Sequence, residues 1–128
     1  MSRLGIFVDR KTLASAEQLT ALIHCRDVAE GMGHDVDFIF PVDITRIPKM
    51  DALFIRARTD PMNVTYVAAR MADFHGIPVI DDPASIRICS DKINMYSHLM
   101  KCGVAIPRTV FLSKNDLTVE RVTRLFDE

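Results

Sequence analysis

Two arginines near the middle of the chain have the chemistry needed to bind an anion. Arg56 and Arg58 follow an apolar run at residues 52–55, and Thr59 adds a hydroxyl group beside them. Alternate residues leaving a strand point the same way, so two guanidinium groups there can hold one carboxylate or phosphate through paired hydrogen bonds. The plainer interpretation is that they are solvated arginines paired with acids such as Asp60. The pattern alone leaves both interpretations open.

A further cationic candidate is Lys92, which follows Asp91 at the predicted start of a helix. The N-terminus of a helix attracts anions because its free N–H groups and its dipole are positive, so Lys92 is a candidate for binding phosphate. A solvated helix residue is again the plainer interpretation. The histidines and cysteines show no metal-ligand spacing and no obvious pairing, and we predict neither a metal site nor a catalytic residue.

Composition and charge exclude several classes of protein. The 128 residues suffice for one core, and 16 Lys and Arg against 17 Asp and Glu give a net charge of -1. No overall positive field attracts nucleic acid or an anionic membrane, so we expect neither as a partner. The apolar run near the N-terminus is too short for a signal peptide or a membrane span, which predicts a cytoplasmic protein. No glycine-rich dinucleotide or P-loop motif is present.

Strands and helices that alternate along the chain must position these candidates. Apolar, β-branched runs predict strands at residues 3–8, 34–40, 51–56 and 77–80, with a last strand reached through residues 106–112. This order predicts an α/β fold, a three-layer Rossmann-like domain with a mostly parallel sheet of four to five strands and helices on both faces. Residues 8–12, 56–60 and 81–83 would then share the carboxyl edge, where ligands bind in such sheets.

The helices are predicted from apolar spacing and from residues that favour helix ends. Ser15 is the expected N-cap of the first long helix, Asp82 caps a helix that begins at Pro83, and Asn115 or Asp116 caps a last helix over residues 117–126. A single helical turn is expected within residues 42–50. The predicted buried positions are Leu19, Leu22, Ile23, Val28 and Ala29 in the first long helix, Val64, Val67, Ala68, Met71 and Phe74 in the second, and Ile93, Tyr96, Leu99 and Met100 in a third.

Three separate stretches resemble the N-terminal part of ATP-grasp ligases of the glutathione synthetase and ribosomal-protein glutamate ligase type. Residues 51–56 with Asp60-Pro61 and Tyr66 resemble the family's strand and following helix. Residues 77–87 resemble the strand and turn where the family carries Asn-x-Pro, although this chain has Asp81 and Asp82 there. Asp91-Lys92 with Leu99, Gly103, Ile106-Pro107 and Thr109 resembles the helix and the exit into the ATP-binding module. The resemblance covers about half of the chain.

The resemblance implies a ligase that phosphorylates a carboxylate with ATP and lets an amine attack the acyl phosphate. It implies a substrate-contact role for Arg56, extended more weakly to Arg58 and Thr59, and a contact to ATP phosphate for Lys92. ATP and magnesium are the implied cofactors of the complete ligase. Its glycine-rich lid, second lysine and metal carboxylates would lie downstream of Glu128, so we expect no tightly bound cofactor and no activity from this chain alone.

The same resemblance implies a division of the chain and a set of partners. Residues 1–112 would form the Rossmann-like domain that precedes the ATP-grasp domain, and residues 113–128 would begin the connection to that domain, its partner in the same polypeptide. The expected substrate is a small acidic or amino-acid-like molecule. We expect an excised part of a longer protein rather than a natural remnant, and an apolar docking face could pair two chains into a homo-oligomer.

Two other functions remain open from the residues themselves. One is a non-catalytic interaction or sensor module such as a receiver domain, but Asp9 is followed by Arg10 and Lys11 where a receiver needs an acidic cluster. The other is a standalone module that binds a small molecule through Arg56 and Arg58. The nature of the acid and amine that a ligase would join is not set by the sequence.

Overall fold

A four-stranded parallel sheet forms the centre of the fold, which confirms the α/β class. The computed structural model describes residues 1–127. Its strands are β1 (Arg3–Phe7), β2 (Asp35–Ile39), β3 (Ala52–Ile55) and β4 (Val79–Ile80), in the order β2-β1-β3-β4. Every neighbouring pair is parallel, so all carboxyl ends lie along one edge.

The helices connect the strands and extend the chain beyond them. Their bounds are α1 (Arg10–Leu13), α2 (Ala16–Gly31), α3 (Val64–Phe74), α4 (Pro83–Cys89), α5 (Lys92–Lys101) and α6 (Val119–Asp127), with 3₁₀ segments at Pro41–Lys49 and Lys114–Asp116. The first 3₁₀ segment is longer than the single turn expected from the sequence. Ser15 caps α2 by accepting from the backbone N–H of Gln18 at 3.3 Å, which confirms that prediction. None of the helices in residues 1–127 is both long enough and apolar enough to cross a membrane.

Packing divides the chain into two compact units, residues 1–91 and the residues from Lys92 onward. The first unit contains the sheet and α1 to α4, whereas the second contains α5 and α6. The boundary between the two units lies at residue 91, whereas the sequence predicted a boundary at residue 112.

Both faces of the sheet are covered, because alternate residues of β1 enter different cores. On one face Phe7 packs with Leu53, Ile55 and the alanines of α3. On the other face Ile6 and Val8 pack with Leu22 of α2. A strand that is buried on both sides needs apolar residues throughout, which is why β1 has a continuous rather than an alternating apolar run. The predicted three-layer arrangement is therefore confirmed for residues 1–91.

Gly5 allows the centre of the sheet to pack closely. A Cβ atom at this position would lie 2.8 Å from Ile39 Cδ1, 3.0 Å from Leu53 Cδ1 and 3.0 Å from Met50 Cγ. Carbon atoms attract best at about 3.5–4.0 Å, so these distances are repulsive. A larger residue at position 5 would force these three side chains to shift within the core.

The buried face of α3 differs from the predicted stripe. The buried residues are Thr65, Ala68, Ala69 and Ala72, whereas Val67 is 51% exposed and Phe74 is 85% exposed. Small side chains let the helix axis approach the sheet, and the larger apolar residues are then left outside. Ala68 is buried as predicted and Val64 and Met71 pack against the core, so the predicted stripe is wrong at Val67 and Phe74. The helix itself begins and ends close to the predicted positions.

The predicted apolar face of α2 is also partly wrong. Leu22 is buried, whereas Leu19, Ile23 and Val28 are each at least 39% exposed. Leu13 of α1 packs against the same core as Leu22, so α2 shares this face with α1 and buries only the stripe centred on Leu22. The sequence pattern predicted the helix correctly but predicted more buried positions than the helix has.

In the second unit, the predicted last strand is absent from the described residues. The chain between Gly103 and Ser113 forms no helix or strand, and Pro107 cannot donate a ladder hydrogen bond. The backbone N–H of Arg121 donates to Thr118 Oγ1 at 3.2 Å, so Thr118 rather than Asn115 or Asp116 supports the first turn of α6. The apolar stripe expected in α5 is not buried, since α5 has no buried residue.

A candidate anion-binding cleft at the carboxyl edge

An open cleft of about 540 Å³ lies at the carboxyl edge of the sheet in the first unit. Phe7 at the end of β1 is in register with Ile55 at the end of β3, so the two following loops leave the sheet side by side. These loops form the two walls of the cleft. Its lining residues are Asp9, Arg10, Lys11, Arg58, Asp60, Met62 and Asn63.

The first wall is the turn from β1 into α1, and Asp9 and Thr12 fix its shape. Asp9 Oδ1 accepts from the Thr12 backbone N–H at 2.7 Å, which caps α1. Thr12 as a residue is 5% exposed. Its hydroxyl oxygen lies 2.8 Å from Asp9 Oδ1 and 3.2 Å from the carbonyl oxygen of Arg56. Thr12 therefore connects the first wall to the end of β3.

The same contacts set the charge of Asp9. Burial is the largest single influence and alone would raise the pKa of this carboxyl group. Hydrogen bonds from the backbone and hydroxyl of Thr12 and from the backbone of Lys11, together with the charge of Lys11, outweigh burial and hold the pKa of Asp9 below its ordinary value. Asp9 is consequently ionised at neutral pH.

The second wall is the loop between β3 and α3, and its own hydrogen bonds hold it in place. Asn63 caps α3 by accepting from the Thr65 backbone N–H at 3.0 Å, while its amide nitrogen donates to the Arg58 carbonyl oxygen at 3.1 Å. The buried Thr65 hydroxyl also contacts the Arg58 carbonyl oxygen at 3.2 Å and the Asn63 side-chain oxygen. Asp60 Oδ1 accepts from the Met62 backbone N–H at 2.8 Å. The backbone of Arg58 is thus attached to the first turn of α3.

Within residues 1–127, the guanidinium groups of Arg10 and Arg58 form no ion pair and no hydrogen bond. Arg58 in particular does not pair with Asp60, the partner that the plainer sequence interpretation gave it. Both guanidinium groups line the cleft and keep all their donors free. The cleft can therefore offer two forked donors to a carboxylate or phosphate.

The candidate residues predicted from the sequence take different positions. Arg58 lines the cleft, whereas Arg56 and Thr59 are not among its lining residues. The Arg56 backbone N–H instead donates to the Phe7 carbonyl oxygen at 2.8 Å, which extends the pairing of β1 and β3. Lys92 is the exposed first residue of α5 in the second unit. The substrate and ATP roles given to these residues stay predictions.

Two lining residues, Met62 and Asn63, lie outside the loops at residues 8–12 and 56–60 that the sequence placed at this edge. A signal for one of them was present, since an asparagine directly before an apolar helical stripe is a common N-cap. Nothing in the sequence shows that its amide group would also bind the Arg58 backbone and so shape the wall.

The third predicted loop, residues 81–83, lies beyond β4 and does not line this cleft. Asp82 caps α4, accepting from the backbone N–H groups of Ala84 at 2.9 Å and Ser85 at 3.0 Å, and from the Ser85 hydroxyl at 2.6 Å. Hydrogen bonds from the side chain and then the backbone of Ser85 lower the pKa of Asp82. Asp82 and Tyr66 line a separate groove of about 280 Å³ between α3 and α4.

A protein-held metal ion does not fit the described residues well. Among residues 1–127 there is no group of three or more His, Cys, Asp or Glu side chains close enough to share an ion. Magnesium binds through carboxylates, waters and substrate phosphates, so the described chain offers no magnesium cage of its own. The chemistry that the cleft can perform is anion recognition.

A scan against protein-family models finds no family that matches. A search of curated proteins finds no significant match.

Proposed function

We propose that residues 1–91 bind the carboxylate substrate of an ATP-dependent carboxylate–amine ligase that acts through an acyl phosphate. The resemblance of three stretches to ATP-grasp ligases motivates this proposal. The observation that carries it is the free guanidinium group of Arg58 in a cleft at the carboxyl edge of a parallel sheet, where ligands of such sheets bind.

The geometry of the cleft supports a small acid that also carries an amino group. Arg58 and Arg10 supply forked donors that match the two oxygens of a carboxylate, and each charged hydrogen bond contributes about 1.5–3 kcal/mol. Asp60 uses Oδ1 for the Met62 backbone, which leaves Oδ2 for a ligand ammonium group. A cleft that combines free cations with a carboxylate suits amino-acid-like substrates better than a plain dicarboxylate.

In this proposal Lys92 contacts an ATP phosphate. Its side chain is exposed and α5 begins with it, and a helix N-terminus favours an anion. When bound with magnesium, ATP supplies the phosphoryl group that activates the carboxylate. The described residues supply substrate binding and one phosphate contact, and we propose that an ATP-grasp domain of the same polypeptide supplies the metal ligands. A cytoplasmic location belongs to the same proposal.

A small-molecule-binding module without catalysis is the alternative. It is favoured by one observation, that both walls of the cleft come from residues 1–91, so a ligand can bind there without a second domain. Binding of an acid would support both functions, whereas contact with ATP at Lys92 would support the ligase only.

Titration of the chain with L-glutamate and with glutarate, followed by NMR, tests substrate binding. We expect shifts at residues 9–11 and 58–63, tighter binding of L-glutamate than of glutarate, and loss of most affinity in Arg58→Ala. Arg87→Ala is the matched control, because Arg87 is an exposed arginine of the same unit that does not line the cleft. Equal affinities of Arg58→Ala and wild type would refute the carboxylate site.

Titration with millimolar Mg-ATP separates the ligase from the binding module. The ligase proposal expects weak binding with shifts at the start of α5, reduced in Lys92→Ala and unchanged in Lys101→Ala, which removes the last residue of the same helix. If Mg-ATP causes no shift at the start of α5, the ATP assignment fails and the binding module becomes the better description.

A further inference from the structure

The outer side of β2 is a free sheet edge. Among residues 1–127, β2 pairs with β1 and with no other strand. The backbone N–H of Asp35 and the carbonyl oxygen of Ile39 bond to the chain at the two ends of β1, at 2.9 and 3.0 Å, so these residues face β1. Backbone groups of alternate residues face opposite ways, so the N–H and C=O groups of Val36 and Phe38 face outward. These outward groups can pair with a further strand.

This edge lacks the features that usually protect an exposed strand. Natural edge strands are very short or carry lysine, proline or a bulge. The opposite edge strand, β4, has only two residues and is followed closely by Pro83. β2 has five residues, and none of them is lysine or proline. Its Asp37 is neutralised within the chain, since Oδ1 lies 2.7 Å from Arg46 and Oδ2 lies 3.1 Å from Arg3. β2 is therefore the edge that is open to pairing.

Apolar side chains of α2 flank the same edge. Leu22 packs in one cluster with Ile6 of β1 and Phe38 of β2, so α2 lies over both strands. The connection from β1 through α2 to β2 is right-handed in parallel sheets. This handedness turns toward the outer edge of β2 those residues of α2 that lie about 60–100° ahead of Leu22, counted at about 100° per residue. Leu19 and Ile23 occupy these positions, and both are exposed.

The sequence of β2 is self-complementary about a twofold axis at Phe38. Antiparallel pairing on this axis places Phe38 opposite the partner's Phe38 and Val36 opposite the partner's Phe40, so the outward backbone groups bond across the axis. Phe40 has an extended backbone, with φ −101° and ψ 164°, and can continue the ladder. Asp37 then lies opposite the partner's Ile39, so the pairing sets no two carboxylates against each other.

The same axis brings the two α2 helices to packing distance. Because α2 lies over the pair of β1 and β2, strands about 4.8 Å apart put the two helix axes about 9.6 Å apart. Packed helices are separated by about 8–10 Å. Leu22 packs with Ile6, which is in register with Phe38, so the neighbouring Ile23 lies close to the axis. Two copies of Ile23 can therefore bury each other.

The charges of α2 suit this arrangement. The axis makes the two helices antiparallel, so the carboxyl end of each lies beside the amino end of the other. Near its carboxyl end Arg26 pairs with both Asp27 and Glu30, which leaves a net negative charge there. The amino end of a helix is positive, and Glu17 of that end lies about 120° from Ile23 around the helix, on the other flank. Opposite charges therefore meet at both ends of the helix pair.

We propose that the chain forms a twofold homodimer through β2 and α2, in which two four-stranded sheets join into one continuous sheet. Backbone pairing of β2 sets the register, and the exposed Leu19 and Ile23 become buried between the two helices. The interface uses neither wall of the cleft and does not depend on the proposed ligase function.

Sedimentation equilibrium tests the dimer. We expect a molar mass twice that of one chain, which falls on dilution. Ile23→Lys should weaken dimerisation at least about tenfold, because two lysines would face each other near the axis. Val36→Pro should abolish pairing, since it removes an outward N–H but no bond to β1. His24→Lys is the matched control, because it adds the same charge at the adjacent exposed position on the outer side of the helix and should leave the dimer intact.

Amide hydrogen exchange distinguishes pairing of β2 from any other contact. In the dimer the N–H groups of Val36 and Phe38 should be protected. In Ile23→Lys they should exchange rapidly while those of Asp37 and Ile39, which face β1, stay protected and so show that the variant is folded. A monomer at NMR concentrations, a dimer that survives both Ile23→Lys and Val36→Pro, or a dimer with unprotected Val36 and Phe38 would each overturn the proposal. Protection of these two amides in a monomer would mean that another segment of the chain covers the edge, and would overturn it too.

Discussion

Replacing Thr12 with valine tests whether one buried hydroxyl holds the two walls of the cleft together. Valine keeps the shape of threonine but removes the group that lies 2.8 Å from Asp9 Oδ1 and 3.2 Å from the Arg56 carbonyl oxygen. A hydrogen bond to a charged acceptor is worth about 1.5–3 kcal/mol, so Thr12→Val should lower the free energy of unfolding by about that amount. Thr12→Ser keeps the hydroxyl and removes one methyl group, which costs about 0.8 kcal/mol.

Urea denaturation at neutral and acidic pH measures the effect. The pKa of Asp9 is lower in the folded protein than in the unfolded chain, where it is about 3.9. The ionised carboxylate therefore stabilises the fold above a pH of about 3.9, and this contribution is lost as the pH falls through the folded-state pKa. The difference between Thr12→Val and wild type should therefore shrink at acidic pH. Equal stabilities of Thr12→Val and Thr12→Ser at neutral pH, or a difference that does not change with pH, would refute this reasoning.

Five further substitutions test the fold and the second wall by urea denaturation. Gly5→Ala should cost about 1–3 kcal/mol because its Cβ would lie 2.8–3.0 Å from three core side chains, whereas Gly31→Ala, with no atom within 4 Å, should add about 0.5–1 kcal/mol to stability. Asn63→Ala should cost about 1 kcal/mol through loss of the α3 cap and should also weaken binding of L-glutamate, since it removes one of the two hydrogen bonds to the Arg58 carbonyl oxygen. Phe74→Ser should change stability by less than about 0.5 kcal/mol because this ring is 85% exposed, whereas Ala72→Leu should destabilise by about 1–3 kcal/mol.

Each of these three tests has a result that would contradict the structural reason given for it. Equal effects of Gly5→Ala and Gly31→Ala would mean that the sheet does not pack closely around Gly5. An Asn63→Ala chain that is less stable but binds L-glutamate normally would separate the helix cap from the cleft. A large loss of stability in Phe74→Ser would mean that the apolar stripe predicted from the sequence is the buried one after all.

Features set by neighbouring residues were predictable from the sequence. β1 is a continuous apolar run, and the caps Ser15 and Asp82 act on backbone groups within three residues, so propensity and pattern suffice for them. The strand order then placed the loops after β1 and β3 at one edge. The sequence therefore predicted that the loop at residues 8–12 and Arg58 lie at the same edge of the sheet.

Features set by distant packing were not predictable. The buried face of α3 depends on how near the helix comes to β3, and apolar size favoured Val67 and Phe74 over Ala69 and Ala72, which are buried. Likewise, the sequence treated Arg56 and Arg58 alike, and only the fixed loop between β3 and α3 gives Arg58 alone a place in the cleft wall. The strand expected through residues 106–112 was wrong because a run of apolar residues does not guarantee a neighbouring strand.

The close approach of α3 to the sheet has a consequence for the cleft. The amide group of Asn63, the N-cap of that helix, donates to the backbone carbonyl of Arg58, so the position of the Arg58 backbone depends on the position of the helix. A methylene added at Ala68 or Ala69 would push the helix outward and shift the backbone of Arg58 with it. Misplacements of about 1 Å are enough to impair a bound geometry. Selection against larger residues at Ala68 and Ala69 would then act on the proposed anion binding as well as on folding.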